Sequence, residues 1–266
     1  MPWTVHHFDE LDSTNTWTLS QARASAPAGT VAVASYQSSG RGRLDRAWHA
    51  PAGSGLLVSV LLRQPLAPER PVATERAHLL TLGVALAMSD AVRATTGLGC
   101  GLKWPNDLLL GDRKVAGVLA EAQLSPGAPE PLAVVVGAGL NLHRPESVPT
   151  DIGANAVWLD EKVTHVDGRA VLDAFLLAMS ERGLDRIGGV LSAAPGEVQA
   201  LLAAIAGDAR GALATIGQRV RIDTGLSPVV GTATDVDQHD GALIVVDDQG
   251  TPHRVVVGDV VHLRPA

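Results

Sequence analysis

The stretch Lys103-Trp104-Pro105-Asn106-Asp107-Leu108-Leu109-Leu110-Gly111-Asp112-Arg113-Lys114-Val115-Ala116-Gly117 sets the frame for the whole chain. Proline has a fixed φ and no N–H, so Pro105 ends the strand-like run that closes at Lys103 and holds the Asn106 amide and Asp107 carboxylate in a rigid place. Lys114 opens the next strand. A short hairpin over this segment is expected to bring both lysines to one pocket.

Outward from it, strand and helix signals alternate. Toward the N-terminus, residues 15–25 read as a helix that Ser13 or Thr14 can cap. Val31–Tyr36 and Leu56–Leu62 read as strands flanking the loop Ser38-Ser39-Gly40-Arg41-Gly42-Arg43. In the second strand Leu56, Val58, Val60 and Leu62 share one face and Leu57, Ser59 and Leu61 the other, so both faces are expected to be covered. Residues 75–94 place Leu79, Leu82 and Leu86 at helical spacing, which can cover one of them. Toward the C-terminus, Val115–Glu121 and Leu132–Val136 are strand-like, and the Pro/Gly-rich connection between them predicts a hairpin. Helices are expected at 170–182 and near 196–206.

Around residue 213 the character changes. Arg219–Thr224, Val229–Val236, Ala242–Asp247, His253–Val257 and Val260–Leu263 are short Val-rich runs, with turn signals at His239-Asp240-Gly241 and Asp248-Gln249-Gly250. They predict a small β-barrel over 213–266, appended to a larger α+β region over 1–210 with a mixed, largely antiparallel sheet.

The chain has 266 residues, 46% hydrophobic and 18% charged, which supplies ample core and excludes a disordered chain. Its formal net charge of −7 argues against a broad nucleic-acid surface, whose affinity rests on Lys and Arg. The N-terminus carries early acids rather than a basic stretch before an apolar run, unlike a signal peptide. The apolar stretches Leu79–Met88 and Leu132–Leu142 fall short of the roughly 18 residues of a membrane span. A cytoplasmic protein without a membrane or DNA partner is expected. The single cysteine, Cys100, sits between Gly99 and Gly101 with no activating base, so it reads as a buried or incidental thiol. The nine histidines are scattered and show no pair at helical zinc-site spacing, so no metal site is assigned to protein side chains.

Two further segments carry more glycine and charge than a core needs. Gly40-Arg41-Gly42-Arg43-Leu44-Asp45-Arg46-Ala47-Trp48 combines backbone N–H groups free to face an anion with three guanidinium groups. Val136-Gly137-Ala138-Gly139-Leu140-Asn141 lets a ligand lie against bare backbone beside an amide that both donates and accepts.

Taken in order, Ser13-Thr14-Asn15, the Gln37-to-Trp48 loop, Lys103 through Lys114 and Gly117, and Gly137 through Asn141 resemble the biotin protein ligases. The resemblance runs over most of residues 1–210, and the tail fits that family's layout. It implies a class II synthetase-like catalytic domain. The start departs from relatives that also repress transcription: little chain precedes Ser13, which leads one to expect the monofunctional type without a helix-turn-helix. His143 stands where many relatives carry an asparagine.

The resemblance implies a reaction in two steps. Biotin is activated by ATP to biotinyl-AMP with release of pyrophosphate, and the biotinyl group then passes to a lysine of a biotin carboxyl carrier domain. It places Lys114 against both the biotin carboxylate and the α-phosphate, and makes Arg43 and Asp107 its catalytic companions. Biotin contacts fall to Ser13, Thr14, Asn15, Gln37, Arg41, Gly42, Arg43, Lys114 and Gly117. Nucleotide contacts fall to Arg41, Arg46, Trp48, Lys103, Asn106 and Asn141, with Mg²⁺ alongside the triphosphate. The glycine-rich loop, residues 38–47, is expected to close over ligand, because water destroys the mixed anhydride. The rivals are a lipoate-type ligase, which has less use for the polar set around Ser13 and Gln37, and a non-catalytic sensor of biotin or its adenylate.

Overall fold

The computed structural model describes residues 2–44, 46–63, 77–124, 131–194, 196–224, 227–256 and 258–262. Its main sheet has seven strands: β1 (Thr4–Leu11), β2 (Thr30–Gln37), β3 (Gly55–Leu62), β4 (Gly101–Lys103), β5 (Asp107–Leu110), β6 (Arg113–Leu124) and β7 (Pro131–Asn141). They lie in the order β1-β2-β3-β7-β6-β5-β4. Only β1 and β2 run parallel, and every other pair is antiparallel, as a mixed and mostly antiparallel sheet requires. The β6–β7 hairpin forms as the sequence predicts, while its turn signal at 125–130 lies outside the described residues.

The helices are α1 (Thr14–Arg23), α2 (Ala77–Thr96), α3 (Thr150–Asn155), α4 (Gly168–Glu181), α5 (Leu184–Ile187) and α6 (Glu197–Ala212). Ser13 caps α1, its side chain accepting from the Thr16 N–H. Both faces of β3 are covered. Leu56, Val58, Val60 and Leu62 join the large core with α2 and α4, whereas Leu61 joins a small cluster with Ala22 of α1 and Ala133 and Val135 of β7. Alternation along the strands therefore separates a thick core on one face from a face on which, among the described residues, α1 is the one packed helix. No described helix is long and apolar enough to cross a membrane.

The tail forms β8 (Arg219–Asp223), β9 (Val229–Val236), β10 (Leu243–Val246), β11 (Pro252–Val255) and β12 (Asp259–His262). The five strands fall where the sequence places them, but the expected barrel is not closed. The ladder runs β11-β10-β9-β8-β12, with β11 and β12 at opposite edges, so this is an open sheet. Closure needs strands long enough to tilt and stagger around the ring, and both edge strands have four residues. Trp104 anchors the tail to the main sheet. Its backbone N–H donates to Thr215 Oγ1 and its indole N–H to the Gly241 carbonyl, both at 3.0 Å. The Trp104–Pro105 bond is cis. One apolar core runs from Val31 and Leu79 through Trp104 to Val220 and Val245, joining the two sheets.

Candidate functional site

The open face of the main sheet is built in rows across paired strands. Asp107, Gly117, Gly139 and Leu57 form one row over β5, β6, β7 and β3. Leu119, Gly137 and Ser59 form the next, and Glu121, Val135 and Leu61 the third. Glycine in the middle of the first two rows makes a hollow. A Cβ on Gly139 would stand 2.5 Å from Trp48 Cε2, and one on Gly137 would stand 2.1 Å from Asn15 Oδ1. Only glycine allows these side chains so close to the sheet.

Lys114 reaches this hollow through a bulge. Strict alternation from Gly117, Leu119 and Glu121 would send residue 114 to the opposite face, into the core. Between β5 and β6, however, Leu108 pairs with Ala116 and Leu109 with Lys114, leaving Val115 as the extra residue. A bulge of this kind re-aims the side chains that flank it. Val115 is fully buried in the core, and Lys114 Nζ lies 2.7 Å from Asp107 Oδ1 and 5.4 Å from the centre of the Trp48 ring.

The hollow is a cavity lined by Ser13, Thr14, Asn15, Gln37, Arg41, Gly42, Arg43, Arg46, Trp48, Asn106, Asp107, Lys114 and Gly117. Nearly every candidate read from the sequence therefore meets in one place. Its polar end is tightly wired. Gln37 Oε1 accepts from Thr14 N at 2.7 Å and from Thr14 Oγ1 at 2.9 Å. Ser59 Oγ lies 2.7 Å from Thr14 Oγ1 and 2.6 Å from Asn15 Oδ1. Asn15 Nδ2 donates to Glu121 Oε2 at 2.7 Å and to the Leu119 carbonyl at 3.3 Å. At the other end, Arg43 donates to Asn106 Oδ1 and to the Gly258 carbonyl of the tail, both at 3.2 Å, while Asn106 Nδ2 donates to the Val118 carbonyl at 2.8 Å.

A second cavity adjoins the first and shares Ala47, Trp48 and Lys114 with it; its other walls include Asn141, Ile152, Asn155 and Trp158. Asn141 lies here, its Nδ2 donating to the Val157 carbonyl at 3.1 Å and lying 3.5 Å from the Lys114 carbonyl. That amide thus ties the segment after α3 to the root of the lysine. Nothing in the sequence marks Trp158, Asn155 or Ile152 as part of the site. They come from a region without glycine or charge clustering, and only the fold folds α3 back over β6, through the Lys114–Ala156 bridge. Trp158 also carries the Arg144 guanidinium 5.0 Å above its ring.

Lys103 corrects the expectation that one hairpin gathers both lysines. It lines neither cavity. On the outermost strand of the main sheet, β4, it stands opposite Asp107 in the same row, and its charge also acts on His262 of the tail, whose pKa is lowered by burial and then by Lys103. Cys100 is buried, which pushes its thiol up to about 11 and leaves it unreactive. His78, on α2 below Arg43, is pulled down to about 4 by burial first and by Arg43 next, with Asp240 opposing.

Together these features define a two-part α+β protein whose cationic, glycine-floored hollow suits an acidic ligand beside a second, ring-sized pocket. Residues 8–141 match the model of the biotin/lipoate A/B protein ligase family, and residues 215–263 match the biotin protein ligase C-terminal domain. The biotin–[acetyl-CoA-carboxylase] ligase of Mycobacterium tuberculosis is 34% identical over 96% of this chain and 87% of that protein. The chain belongs to the biotin/lipoate protein ligase family. It is also 32% identical to the bifunctional ligase/repressor BirA of Bacillus subtilis, over 68% of this chain but only 54% of that protein, so it spans about half the length of that relative. The structure of a biotin protein ligase from Aquifex aeolicus in complex with biotin and ATP superposes with a TM-score of 0.77 at 25% identity, covering 98% of this chain and 99% of that one.

Proposed function

We propose that this chain joins biotin to a lysine of a carboxylase's biotin carboxyl carrier domain, using ATP and passing through biotinyl-AMP. One observation carries the reading: Lys114 stands on the wall that the two cavities share. One ammonium can therefore touch an acid in the polar cavity and a phosphate reaching in from the other.

In the first step a carboxylate oxygen of biotin bonds to the α-phosphorus while the bond from that phosphorus to pyrophosphate breaks. Two like charges about 4 Å apart at an effective dielectric near 20 repel by roughly 4 kcal/mol, and a cation between them offsets this. Arg43 and Arg46, from the loop above, would face the triphosphate. In the second step the lysine amine of the carrier attacks the acyl carbon, the bond to AMP breaks, and the amine loses a proton. Asp107, already bound to one ammonium, is placed to hold the incoming one. The walls at Trp48, Asn141, Asn155 and Trp158 suit a purine ring, through stacking area and amide edges. Residues 1–210 would then carry the chemistry, and 213–266 would support it through Arg43 and Trp104.

Magnesium would enter with the triphosphate. Among the described residues no group of three or more His, Cys, Asp or Glu side chains could hold a metal ion. The wired polar set at Ser13, Thr14, Asn15 and Gln37 favours biotin, whose urea needs paired donors and acceptors, over lipoate, which has none. Mixing the chain with biotin, ATP, Mg²⁺ and a carrier domain should add one biotinyl group to the carrier by mass spectrometry. Absence of pyrophosphate release with biotin, or turnover with lipoate instead, would overturn the reading.

A further inference from the structure

Glu121 lies in the third row of the open face, beside the hollow rather than on its floor, and nothing in its sequence surroundings marks it. A single oxygen of its carboxylate, Oε2, accepts from Asn15 Nδ2 at 2.7 Å and from Arg41 at 3.0 Å. The same guanidinium nitrogen of Arg41 also donates to Thr16 Oγ1 at 3.2 Å. Both N–H bonds of the Asn15 amide are thereby engaged, one by Glu121 and one by the Leu119 carbonyl. Its oxygen is then turned toward Ser59 and Gly137. The Glu121 side chain is 23% exposed and that of Arg41 46%, so the pair sits where the hollow opens to solvent.

We infer that Glu121 is a positioning residue that couples the polar end of the acid-binding cavity to the glycine-rich loop, by holding Asn15 in one amide orientation and Arg41 at the root of that loop. The inference rests on the proposed ligation of biotin. It makes two demands on one carboxylate that can be separated. Asn15 needs an acceptor there, which any carbonyl oxygen supplies. Arg41 needs a negative charge, which only a carboxylate supplies.

The test is the rate of pyrophosphate release with biotin and ATP varied in turn, for the wild type, E121A, E121Q, R41A and the double variants. E121A should raise KM for biotin about tenfold and KM for ATP about fivefold, with kcat within about twofold, because charge-assisted hydrogen bonds are lost from binding rather than from the transition state. E121Q should restore KM for biotin to within about threefold while KM for ATP stays raised. Adding R41A to either variant should raise KM for ATP no further than R41A alone, since residues in one network are not additive. E121Q alone suffices should E121A fail to fold. Wild-type KM values in both variants, or additive effects with R41A, would overturn the coupling while leaving the ligase reading intact. A wild type that releases no pyrophosphate would overturn both.

Discussion

Lys114 Nζ is 2.7 Å from Asp107 Oδ1, and the contact exists because Val115 is an extra residue that turns Lys114 out of the core. The pair is partly exposed, at 36% and 22% of the side chains, so it contributes little to stability. It does hold an ammonium on the wall between two cavities, where an acid and a phosphate would otherwise repel.

Lys114→Ala should therefore separate folding from chemistry. Pyrophosphate release with biotin and ATP is expected to fall by about 10²–10³-fold, the usual effect of removing one preorganised charge stabiliser. Stability to urea should change by less than about 1 kcal/mol. Near-normal pyrophosphate release would remove the lysine from the first step.

Gly137 and Gly139 both floor the polar cavity, but they lie against different side chains, Asn15 and Trp48, and Trp48 also walls the second cavity. Alanine at 139 would drive a methyl into the Trp48 ring, and alanine at 137 would drive one into the Asn15 amide. Gly139→Ala should raise KM for ATP and Gly137→Ala should raise KM for biotin, each by about tenfold, since overpacking of this kind costs about 1–3 kcal/mol. Steady-state kinetics on the two variants checks it. Equal effects on both substrates would show that the rows do not act separately.

The division between what the chain reveals and what it conceals follows the same lines. The alternation in β3 discloses two covered faces because each strand residue has one choice of side. Helices α2 and α4 are legible because their apolar stripes repeat at helical spacing. The bulge at Val115 is not legible: nothing breaks the strand-like run Val115–Glu121, and alternation carried back from Gly117 would send Lys114 into the core. The open tail sheet and the edge position of the strand that carries Lys103 are concealed for a related reason: which strand lies at an edge depends on pairing between distant segments. Trp158 and Asn155 enter the site only through the packing of α3, so no local pattern announces them. Glu121 is hidden by its ordinary place in a strand.

His78 predicts a pH dependence of stability. Its folded-state pKa is about 4 against an ordinary 6.5, because burial and the Arg43 charge disfavour the imidazolium. Below pH 6.5 the unfolded chain takes up the proton while the folded chain does not. The associated stability is thus fully present above pH 6.5 and drains away as pH falls toward 4, by at most about 3 kcal/mol. Among the described residues its Nε2 is buried without a hydrogen-bond partner, so an apolar ring can replace it. Urea unfolding of wild type and His78→Phe at pH 7 and pH 5 should show a smaller loss for the variant. Parallel losses would exclude His78 as the source.

Trp104 predicts how far the two sheets depend on one another. The ring is 1% exposed and bridges them, donating its N–H to the Gly241 carbonyl. Trp104→Phe keeps an aromatic in the core but withdraws that donor, leaving a buried carbonyl without it. The expected cost is about 1–3 kcal/mol for the unsatisfied acceptor, with further loss from the unfilled volume. Because one apolar core joins both sheets, the loss should appear as a single cooperative transition at lower denaturant. The tail also holds Arg43 through the Gly258 carbonyl, so KM for ATP should rise in the same variant in the absence of denaturant. A tail that melts first, with KM for ATP unchanged, would mean that Arg43 is held in place without the C-terminal sheet.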